Sequence, residues 1–305
     1  MDRNSVDWRG YMPAITTTFT RDGDYDARGH AELLEWLYAE GMHGIVALGT
    51  TGEWFSLQPT EKAAVFQNIA ATLKGKIPLI AGCTGYTASE VGANMAAAAE
   101  AGFDGVLITP PPYICLSDAE ILEFYREAAK QTKLPICIYN WPPGTNIDLS
   151  LPLIEKLIEI DNVVALKHST SRLDHFSKVF FAIRDRVRVF GFNMDELGLT
   201  LLAHQGGDGT MGAGAVLGRD HPNFYNEIWN GNLEAARECG ARDRVILTEW
   251  YTEHLTARFG SPQAILKEAF NVMGLPGGYP RRPILPLQDS EREIVRATLE
   301  KLGKI

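Results

Sequence analysis

The sequence has few cysteines, and neither they nor the histidines form a pattern that indicates disulfide bonds or a metal site. The four cysteines are widely spaced and form no CxxC pair, at Cys83, Cys115, Cys137 and Cys239. Two of them lie in apolar runs typical of strands, which favours reduced thiols in a protein core. The seven histidines form no HxH or HExxH pair. The sequence therefore predicts no metal site.

Basic charge, long apolar runs and phosphate-binding loops are also missing. The formal net charge is −9, whereas nucleic acids and anionic membranes bind basic surfaces. No run approaches the length of a membrane span, and Met1–Trp8 contains no apolar core of a signal peptide. Neither GxGxxG nor GxxxxGK[ST] occurs where a strand meets a helix, which disfavours a nucleotide-dependent enzyme. We therefore expect a cytoplasmic protein whose partners are neither nucleic acids nor membranes.

What the sequence does contain is a regular alternation of short apolar runs with helical segments. This alternation is typical of repeated strand–helix units around a parallel sheet. Eight strands are predicted, at Tyr11–Thr18, Ile45–Leu48, Leu79–Gly82, Val106–Thr109, Ile136–Tyr139, Val163–Lys167, Val187–Phe190 and Gly209–Met211. Eight helices are predicted after them, at Asp26–Glu40, Pro59–Leu73, Ser89–Glu100, Ser117–Lys130, Ser150–Glu159, Leu173–Ile183, Met194–His204 and Pro222–Trp229. The fold class is therefore α/β, with a (β/α)₈ TIM barrel over residues 1–230.

Three further helical segments follow without strands between them. They are predicted at Asn232–Tyr251, Ser261–Met273 and Ser290–Leu302, with a loop rich in proline and glycine at Gly274–Pro286. We expect residues 231–305 to form a C-terminal helical appendix to the barrel.

Two polar side chains end neighbouring strands of the predicted barrel, where active sites of this fold lie. Lys167 ends the run Val163–Lys167, and Tyr139 ends the run Leu134–Tyr139. Burial lowers the pKa of a lysine and makes it a nucleophile that can form an imine. A lysine here can also mark the end of a core strand, and Tyr139 can be a core tyrosine bonded to a carbonyl. Because adjacent strands lie about 4.8 Å apart, the pair on one rim favours proton transfer by Tyr139.

The segment Gly49–Trp54 follows the second strand with the sequence GTTGEW. Its glycines allow backbone N–H groups and the hydroxyls of Thr50 and Thr51 to converge on an anion such as a carboxylate. The same residues are common in ordinary turns. Glu53 is a candidate base, but we expect it to brace the loop by accepting backbone N–H bonds. Trp54, Phe55 and Trp141 are candidates for pocket walls or for packing.

Gly49–Glu53, then Tyr139-Asn140 before prolines, then Lys167 after an apolar strand together resemble the dihydrodipicolinate synthase and N-acetylneuraminate lyase family of Schiff-base enzymes. The resemblance runs from about Tyr11 through the appended helices. It implies that Lys167 forms an imine with pyruvate or another 2-keto acid, without a metal or an organic cofactor. It also implies the (β/α)₈ fold and a homo-oligomer, often a tetramer built from dimers.

The resemblance assigns further residues to the pocket. By this comparison Thr50 and Thr51 hold the carboxylate of the keto acid, Tyr139 shuttles protons near the imine carbon, and Gly191 and Met211 line the pocket. Ser169, two residues beyond Lys167, is a candidate for contact with a substrate hydroxyl. His168 is expected to point away from the barrel, because side chains alternate along a strand.

Three positions depart from the family pattern. Dihydrodipicolinate synthases usually carry an arginine five residues after the motif tyrosine, where it holds the carboxylate of aspartate semialdehyde; Gly144 stands there and cannot make this contact. In the family, a second tyrosine that belongs to a proton relay across a subunit interface normally follows Thr-Pro directly. Here two further prolines separate Tyr113 from the Thr-Pro pair at Thr109. Neuraminate lyases bind a polyol tail with acidic residues at this point of the chain; here Asn193 is a candidate substrate-binding residue, whereas Met194 is hydrophobic.

The leading hypothesis is a Schiff-base lyase, an aldolase or a dehydratase, that acts on a small 2-keto acid. A 2-keto-3-deoxy sugar acid or a related hydroxylated keto acid is the expected substrate. Alternatives within the family are dihydrodipicolinate synthase and a deaminase of a cyclic imine acid. An alternative of a different class is a keto-acid-binding protein without catalysis, which the presence of both Lys167 and Tyr139 disfavours.

Overall fold

The computed structural model describes residues 1–254 and 256–305. Within them the chain forms a sheet of eight parallel strands. The strands are β1 Gly10–Tyr11, β2 Ile45–Ala47, β3 Leu79–Gly82, β4 Gly105–Ile108, β5 Ile136–Asn140, β6 Val163–His168, β7 Arg188–Phe190 and β8 Gly209–Thr210. Their order is β1-β8-β7-β6-β5-β4-β3-β2. Ala14, just after β1, bridges to both Val46 and Ala213, so the sheet closes on itself and the predicted barrel is confirmed.

Helices surround the barrel and extend beyond it. They are α1 Ala27–Ala39, α2 Pro59–Leu73, α3 Ala88–Ala101, α4 Asp118–Ala129, α5 Pro142–Thr145, α6 Leu151–Leu157, α7 Leu173–Ile183, α8 Glu196–Gln205, α9 Asp220–Trp229, α10 Leu233–Trp250, α11 Pro262–Val272 and α12 Asp289–Lys301. Short 3₁₀ helices lie at Arg3–Ser5 and Trp54–Ser56. Several helices begin at a side-chain cap, as when Thr87 accepts from the backbone N–H of Glu90. None of the described helices is both long enough and apolar enough to cross a membrane.

Two local predictions were wrong. The first strand was expected at Tyr11–Thr18 but ends at Tyr11. Pro13 has no amide hydrogen to continue the hydrogen-bond ladder of the sheet. The threonines after it stabilise loops instead; the hydroxyl of Thr17, for example, donates to the carbonyl of Gly52 at 2.8 Å. Helix α5 was not predicted, because Pro142-Pro143 resembles a loop in sequence; prolines are also compatible with a helical first turn.

Side chains on the strands alternate between two core layers. One layer fills the barrel and includes Met12, Val46, Cys137 and Phe190. The other lies between the sheet and the helices. His168 belongs to the outer layer, where its ring stacks on Phe176 of α7 at 5.7 Å, so its predicted outward direction is confirmed. Lys167 therefore points to the barrel interior.

The C-terminal helices lie against loops at the carboxyl ends of the strands. Gln263 of α11 donates to the backbone carbonyl of Thr50 at 2.9 Å, and Lys267 of α11 pairs with Glu53. Helix α10 packs on α9, so the helix pair spans the expected boundary between residues 230 and 231, and that boundary stays a prediction. The C-terminal helices consequently form part of the wall around the barrel mouth.

Candidate active site

Lys167 and Tyr139 are direct partners across two strands. The register of β5 and β6 places their Cα atoms opposite each other. Lys167 is 6% exposed, and its Nζ lies 4.1 Å from the centroid of the Tyr139 ring. Both side chains line a cavity of about 190 Å³ at the mouth of the barrel. The two predicted catalytic side chains therefore meet in one enclosed site.

Burial gives Lys167 the electrostatics of a nucleophile. Desolvation lowers the pKa of its amine to about 8, and the nearby thiol of Cys137 opposes this only in part. The amine makes no hydrogen bond and no ion pair with the described residues. At a pKa near 8, about 10% of the amine is neutral at pH 7, against ~0.1% for an ordinary lysine. Lys167 is therefore able to attack a carbonyl carbon at neutral pH.

A second buried lysine shows what distinguishes Lys167. Burial also lowers the pKa of Lys267 to about 8. Its ammonium, however, pairs with the buried carboxylate of Glu53 and donates to the carbonyl of Tyr279 at 2.8 Å. Lys267 does not line the cavity. Position and lack of a partner, more than the pKa, single out Lys167.

The phenol of Tyr139 stays protonated. Burial raises its pKa well above the usual range, and the nearby hydroxyls of Ser169 and Thr50 oppose this only in part. A neutral phenol between a lysine and two hydroxyls can donate one proton and accept another. Tyr139 therefore has the chemistry of a proton relay, and a phenolate at neutral pH is disfavoured.

The loop after β2 is held in a tight turn. The N–H of Gly52 donates to the carbonyl of Gly49 at 3.0 Å, and that of Glu53 donates to the carbonyl of Thr50 at 3.2 Å. Leu48 and Glu53 have positive φ angles of 48° and 57°, a conformation that is uncommon for residues other than glycine. Such strain is retained where a loop has a function. The turn places Thr50 and Thr51 on the cavity wall.

Glu53 braces this loop, as expected. Its carboxylate is fully buried, pairs with Lys267, and accepts the backbone N–H of Arg281 at 2.9 Å. It does not line the cavity. Trp54 and Phe55 pack edge to face with each other outside the cavity, whereas Trp141 lines it.

The other predicted binding residues lie around the same cavity. Ser169, Gly191, Asn193 and Met211 all line it. Gly191 has a φ of 135°, and a Cβ there would lie 2.3 Å from the carbonyl oxygen of His168, so the close approach of β6 and β7 requires glycine. All four residues therefore line the cavity at the barrel mouth.

Tyr113 lies apart from them. It is 92% exposed on the loop after β4, with a φ of 74°, and it does not line the cavity of its own chain. Its catalytic role stays a prediction that depends on a second subunit.

Sequence reasoning missed several residues of the cavity. They come from β1, β8 and the helices α9 to α11, and they are Tyr11, Thr210, His221, Asp243, Tyr251 and Gln263. No local pattern marks them, because their elements meet Lys167 only in the folded chain. Asn140 had a signal in the Tyr139-Asn140 motif: its amide donates to Asp148 at 2.7 Å and contacts Nδ1 of His168 at 3.0 Å, on the side of the sheet away from Lys167. In the described part of the chain, no group of three histidine, cysteine, aspartate or glutamate side chains could hold a metal ion.

Comparison with known proteins assigns the chain to a family. Residues 7–302 match the model of the Dihydrodipicolinate synthetase family. The chain belongs to this family. Members of the dihydrodipicolinate synthetase family are lyases with class I aldolase-type chemistry, and this chain is a lyase of that family.

Individual relatives cover almost the whole chain at modest identity. An uncharacterized DapA-like lyase of Rhizobium meliloti is 26% identical over 299 residues, 97% of each protein. A 4-hydroxy-tetrahydrodipicolinate synthase of Methanosarcina barkeri is 29% identical over 98% of this chain and 99% of its own length. The crystal structure of a chloride-inhibited dihydrodipicolinate synthase from Acinetobacter baumannii, complexed with pyruvate, superimposes with a TM-score of 0.85 at 27% identity, covering 97% of this chain and 99% of that chain. These relatives define the family and leave the substrate of this chain open.

Proposed function

We propose that the protein is a Schiff-base lyase in which Lys167 forms an imine with a small 2-keto acid. The observation that carries this proposal is the unpaired, desolvated amine of Lys167 beside the phenol of Tyr139 in an enclosed cavity. The Acinetobacter baumannii relative is complexed with pyruvate, which supports a 2-keto acid as the ligand of this site.

The geometry supports a division of roles at the barrel mouth. Neutral Lys167 attacks the C2 ketone of the keto acid, and loss of water leaves a protonated imine that withdraws electrons from the neighbouring carbons. Thr50 and Thr51 hold the carboxylate through their hydroxyls and backbone. Tyr139 donates a proton to the departing water and takes up the proton that the substrate releases. Each role is assigned to a group that lines the cavity.

The imine supports either of two outcomes. Removal of a C3 proton gives an enamine, from which hydroxide leaves C4 in a dehydration. Alternatively, the C3–C4 bond breaks toward the imine while the C4 hydroxyl gives up its proton, which is a retro-aldol cleavage. Both require a hydroxylated 2-keto acid. We therefore propose an aldolase or a dehydratase of such an acid.

The position of Gly144 supports this choice over the condensing synthase. A Cβ at residue 144 would lie 2.4 Å from Cδ1 of Trp141, and Trp141 itself lines the cavity. An arginine at this position would have to displace the Trp141 ring. In the synthases that the sequence resembles, an arginine at this position binds the carboxylate of the aldehyde substrate. In this chain the indole of Trp141 takes up that part of the cavity wall.

Dihydrodipicolinate synthase is the second candidate, favoured by the names of relatives such as the Methanosarcina barkeri enzyme. Comparing catalytic efficiency on pyruvate plus aspartate semialdehyde with that on hydroxylated 2-keto acids separates the two. Efficient condensation with no turnover of the hydroxylated acids would favour the synthase. The missing contact to the semialdehyde carboxylate predicts condensation ~10- to 150-fold less efficient than with an arginine present.

Borohydride trapping tests the Schiff base directly. Reduction of the imine gives a stable secondary amine, so pyruvate and borohydride should add one pyruvate-derived mass per chain on the peptide that contains Lys167. Lys267 supplies an internal control, because its pKa is lowered equally but its amine is paired; its peptide should stay unlabelled. An undiminished adduct in Lys167→Ala, or no adduct in the wild type, would contradict the proposal.

We further propose that the protein is a homotetramer built from dimers and that it works in the cytoplasm. The exposure of Tyr113 supports the first, since this side chain can take part in catalysis only at an active site of a neighbouring chain. The four free cysteines support a reducing compartment.

A further inference from the structure

The cavity at Lys167 continues beyond the barrel mouth into a space bounded by the C-terminal helices. We call this space the distal lobe and define it by six lining residues, Val216, His221, Asp243, Ile246, Leu247 and Tyr251. The whole cavity measures about 190 Å³. A three-carbon keto acid bound at Lys167 leaves part of this volume free, so the lobe has room for a substrate tail.

The charges around the lobe exclude a second carboxylate on that tail. Among the residues that line the cavity, arginine is absent and Lys167 is the single lysine. The acid of the lobe, Asp243, lies 3.2 Å from Nε2 of His221 and is partnered by it. An anionic tail in the lobe would meet the carboxylate of Asp243, while Arg244 and Arg258 line the adjoining pocket and not this cavity. The tail is therefore uncharged.

Most of the lobe's surface is apolar. Val216 and Ile246 are buried, and Leu247 of α10 is half-buried beside them. The aromatic ring of Tyr11 stacks on His221 with centroids 4.2 Å apart and an interplanar angle of 8°, so a flat face covers the side nearest β1. Walls of this kind bind apolar groups. A polyhydroxylated chain would lose its hydrogen bonds to water there without replacing them, which is unfavourable.

Two buried polar atoms of the lobe nevertheless need a partner. Nδ1 of His221 and the hydroxyl of Tyr251 are buried and find no hydrogen-bonding partner among the described residues. Nε2 of His221 donates to the carboxylate of Asp243, which leaves Nδ1 without a partner. Burial raises the pKa of Tyr251, so its phenol remains a donor. A hydroxyl group both donates and accepts, so one hydroxyl on the ligand can serve both atoms.

We infer that the distal lobe binds the substrate's tail, and that this tail is uncharged and mostly apolar and carries a hydroxyl group at its far end, as a hydroxyaryl or hydroxyalkyl group does. The inference rests on the proposed imine at Lys167, which fixes the head of the substrate. Among hydroxylated 2-keto acids, the inference therefore disfavours those with a polyol tail and those with a second carboxylate.

Competition among 2-keto acids for Lys167 tests the inference without assuming an aldolase or a dehydratase. The probes are pyruvate, 2-oxoglutarate, 2-keto-3-deoxygluconate, 2-oxo-4-phenylbutanoate and its 4-hydroxyphenyl analogue. Each is titrated and trapped with borohydride, and the half-saturating concentration is read from the adduct mass. We expect the hydroxyphenyl acid to saturate at a concentration at least ~10-fold below that of pyruvate, and 2-oxoglutarate to be the weakest.

Variants at the lobe connect this preference to the assigned residues. Leu247→Trp fills the lobe from its half-buried side and should weaken capture of the hydroxyphenyl acid at least ~10-fold more than capture of pyruvate. Tyr251→Phe removes the donor and should bring the hydroxyphenyl acid to the level of the phenyl acid, a loss of about 3- to 10-fold. Leu285→Trp, at a side chain that is 60% exposed and outside the cavity, is the matched control and should change neither.

The outcomes are separable from those of the proposed function. Absence of any adduct with pyruvate would overturn the Schiff base itself. Tightest capture of 2-oxoglutarate or of 2-keto-3-deoxygluconate would overturn the inference while the Schiff base stands. So would equal losses for pyruvate and the hydroxyphenyl acid in Leu247→Trp and Tyr251→Phe.

Discussion

Burial alone does not make a lysine reactive in this protein. Lys167 and Lys267 have the same lowered pKa for the same reason, desolvation. They differ in what surrounds the amine, since Glu53 pairs with the ammonium of Lys267, whereas the amine of Lys167 lies in the cavity wall beside Tyr139. Lys167 is therefore the proposed nucleophile, because its amine combines a lowered pKa with a place in the cavity wall.

The pKa of Lys167 predicts how imine formation depends on pH. Only the neutral amine attacks the ketone, and its fraction rises with pH until the pKa of about 8 is passed. The initial rate of imine formation with pyruvate should rise about 10-fold from pH 6 to pH 7 and level off above pH 8. Imine is allowed to form at each pH, and samples are then trapped at one common pH. A rate that still climbs 10-fold per unit above pH 9 would indicate an ordinary lysine.

Removing the hydroxyl of Tyr139 separates proton transfer from binding. Tyr139→Phe keeps the ring that Nζ of Lys167 contacts at 4.1 Å, so the borohydride adduct should still form. Turnover should fall by ~10²-fold or more because the relay is lost. Wild-type turnover in this variant would mean that Tyr139 only packs in the core.

Thr51→Val is the companion variant, expected to raise the pyruvate concentration needed for capture.

At the scale of elements, helix α11 supports the loop that carries Thr50 and Thr51. Gln263 donates to the carbonyl of Thr50 at 2.9 Å, and Lys267 pairs with Glu53 at the end of the same loop. Arg281 adds a backbone N–H bond to Glu53. A helix of the C-terminal appendix therefore holds the turn that lines the cavity, although it lies more than two hundred residues away in the chain.

Breaking the pair between α11 and the loop should destabilise the protein strongly. Lys267→Met leaves the carboxylate of Glu53 buried without its partner, and removing one member of a buried pair costs about 3–5 kcal/mol. Lys301→Met removes one member of an exposed pair with Glu249 and should cost under about 1 kcal/mol. The free energies of unfolding come from urea titrations of both variants. Equal losses would show that the buried pair contributes no more than a surface pair.

At the scale of the whole molecule, the exposed Tyr113 connects activity to assembly. A single chain forms the whole cavity with Lys167 and Tyr139 in its wall. Tyr113 lies outside this cavity and is 92% exposed. If Tyr113 belongs to a relay across an interface, an isolated chain forms the imine yet turns over poorly. Imine formation at Lys167 would then need only one folded chain, whereas complete turnover would need the assembled oligomer.

Assembly should therefore affect turnover more than it affects imine formation. Light scattering after size-exclusion chromatography should give the mass of four chains. Tyr113→Phe should lower turnover at least ~10-fold, since general acid–base groups contribute ~10²–10⁴-fold, with the pyruvate adduct retained. A monomer with full activity, or an active Tyr113→Phe tetramer, would remove Tyr113 from the catalytic residues.

The sequence by itself determined the features that local periodicity encodes. Short apolar runs and capped helical segments predicted the barrel, and Lys167 and Tyr139 could be placed on one rim because side chains alternate along strands and parallel strands end together. It also predicted Glu53 as a brace. Where a local pattern had two readings, as at Tyr11–Thr18 and Pro142-Pro143, the prediction failed.

The tertiary structure alone decided which distant residues complete the site. His221, Asp243, Tyr251 and Gln263 come from elements after the barrel's last strand, and their places around Lys167 depend on how α9 to α11 pack across the barrel mouth. The two lowered lysine pKa values likewise depend on burial by the whole fold, and the two lysines differ in the pairing of Lys267 with Glu53 and in the place of Lys167 on the cavity wall. Packing and desolvation sum contributions from segments far apart in the chain, so no short stretch of sequence contains them.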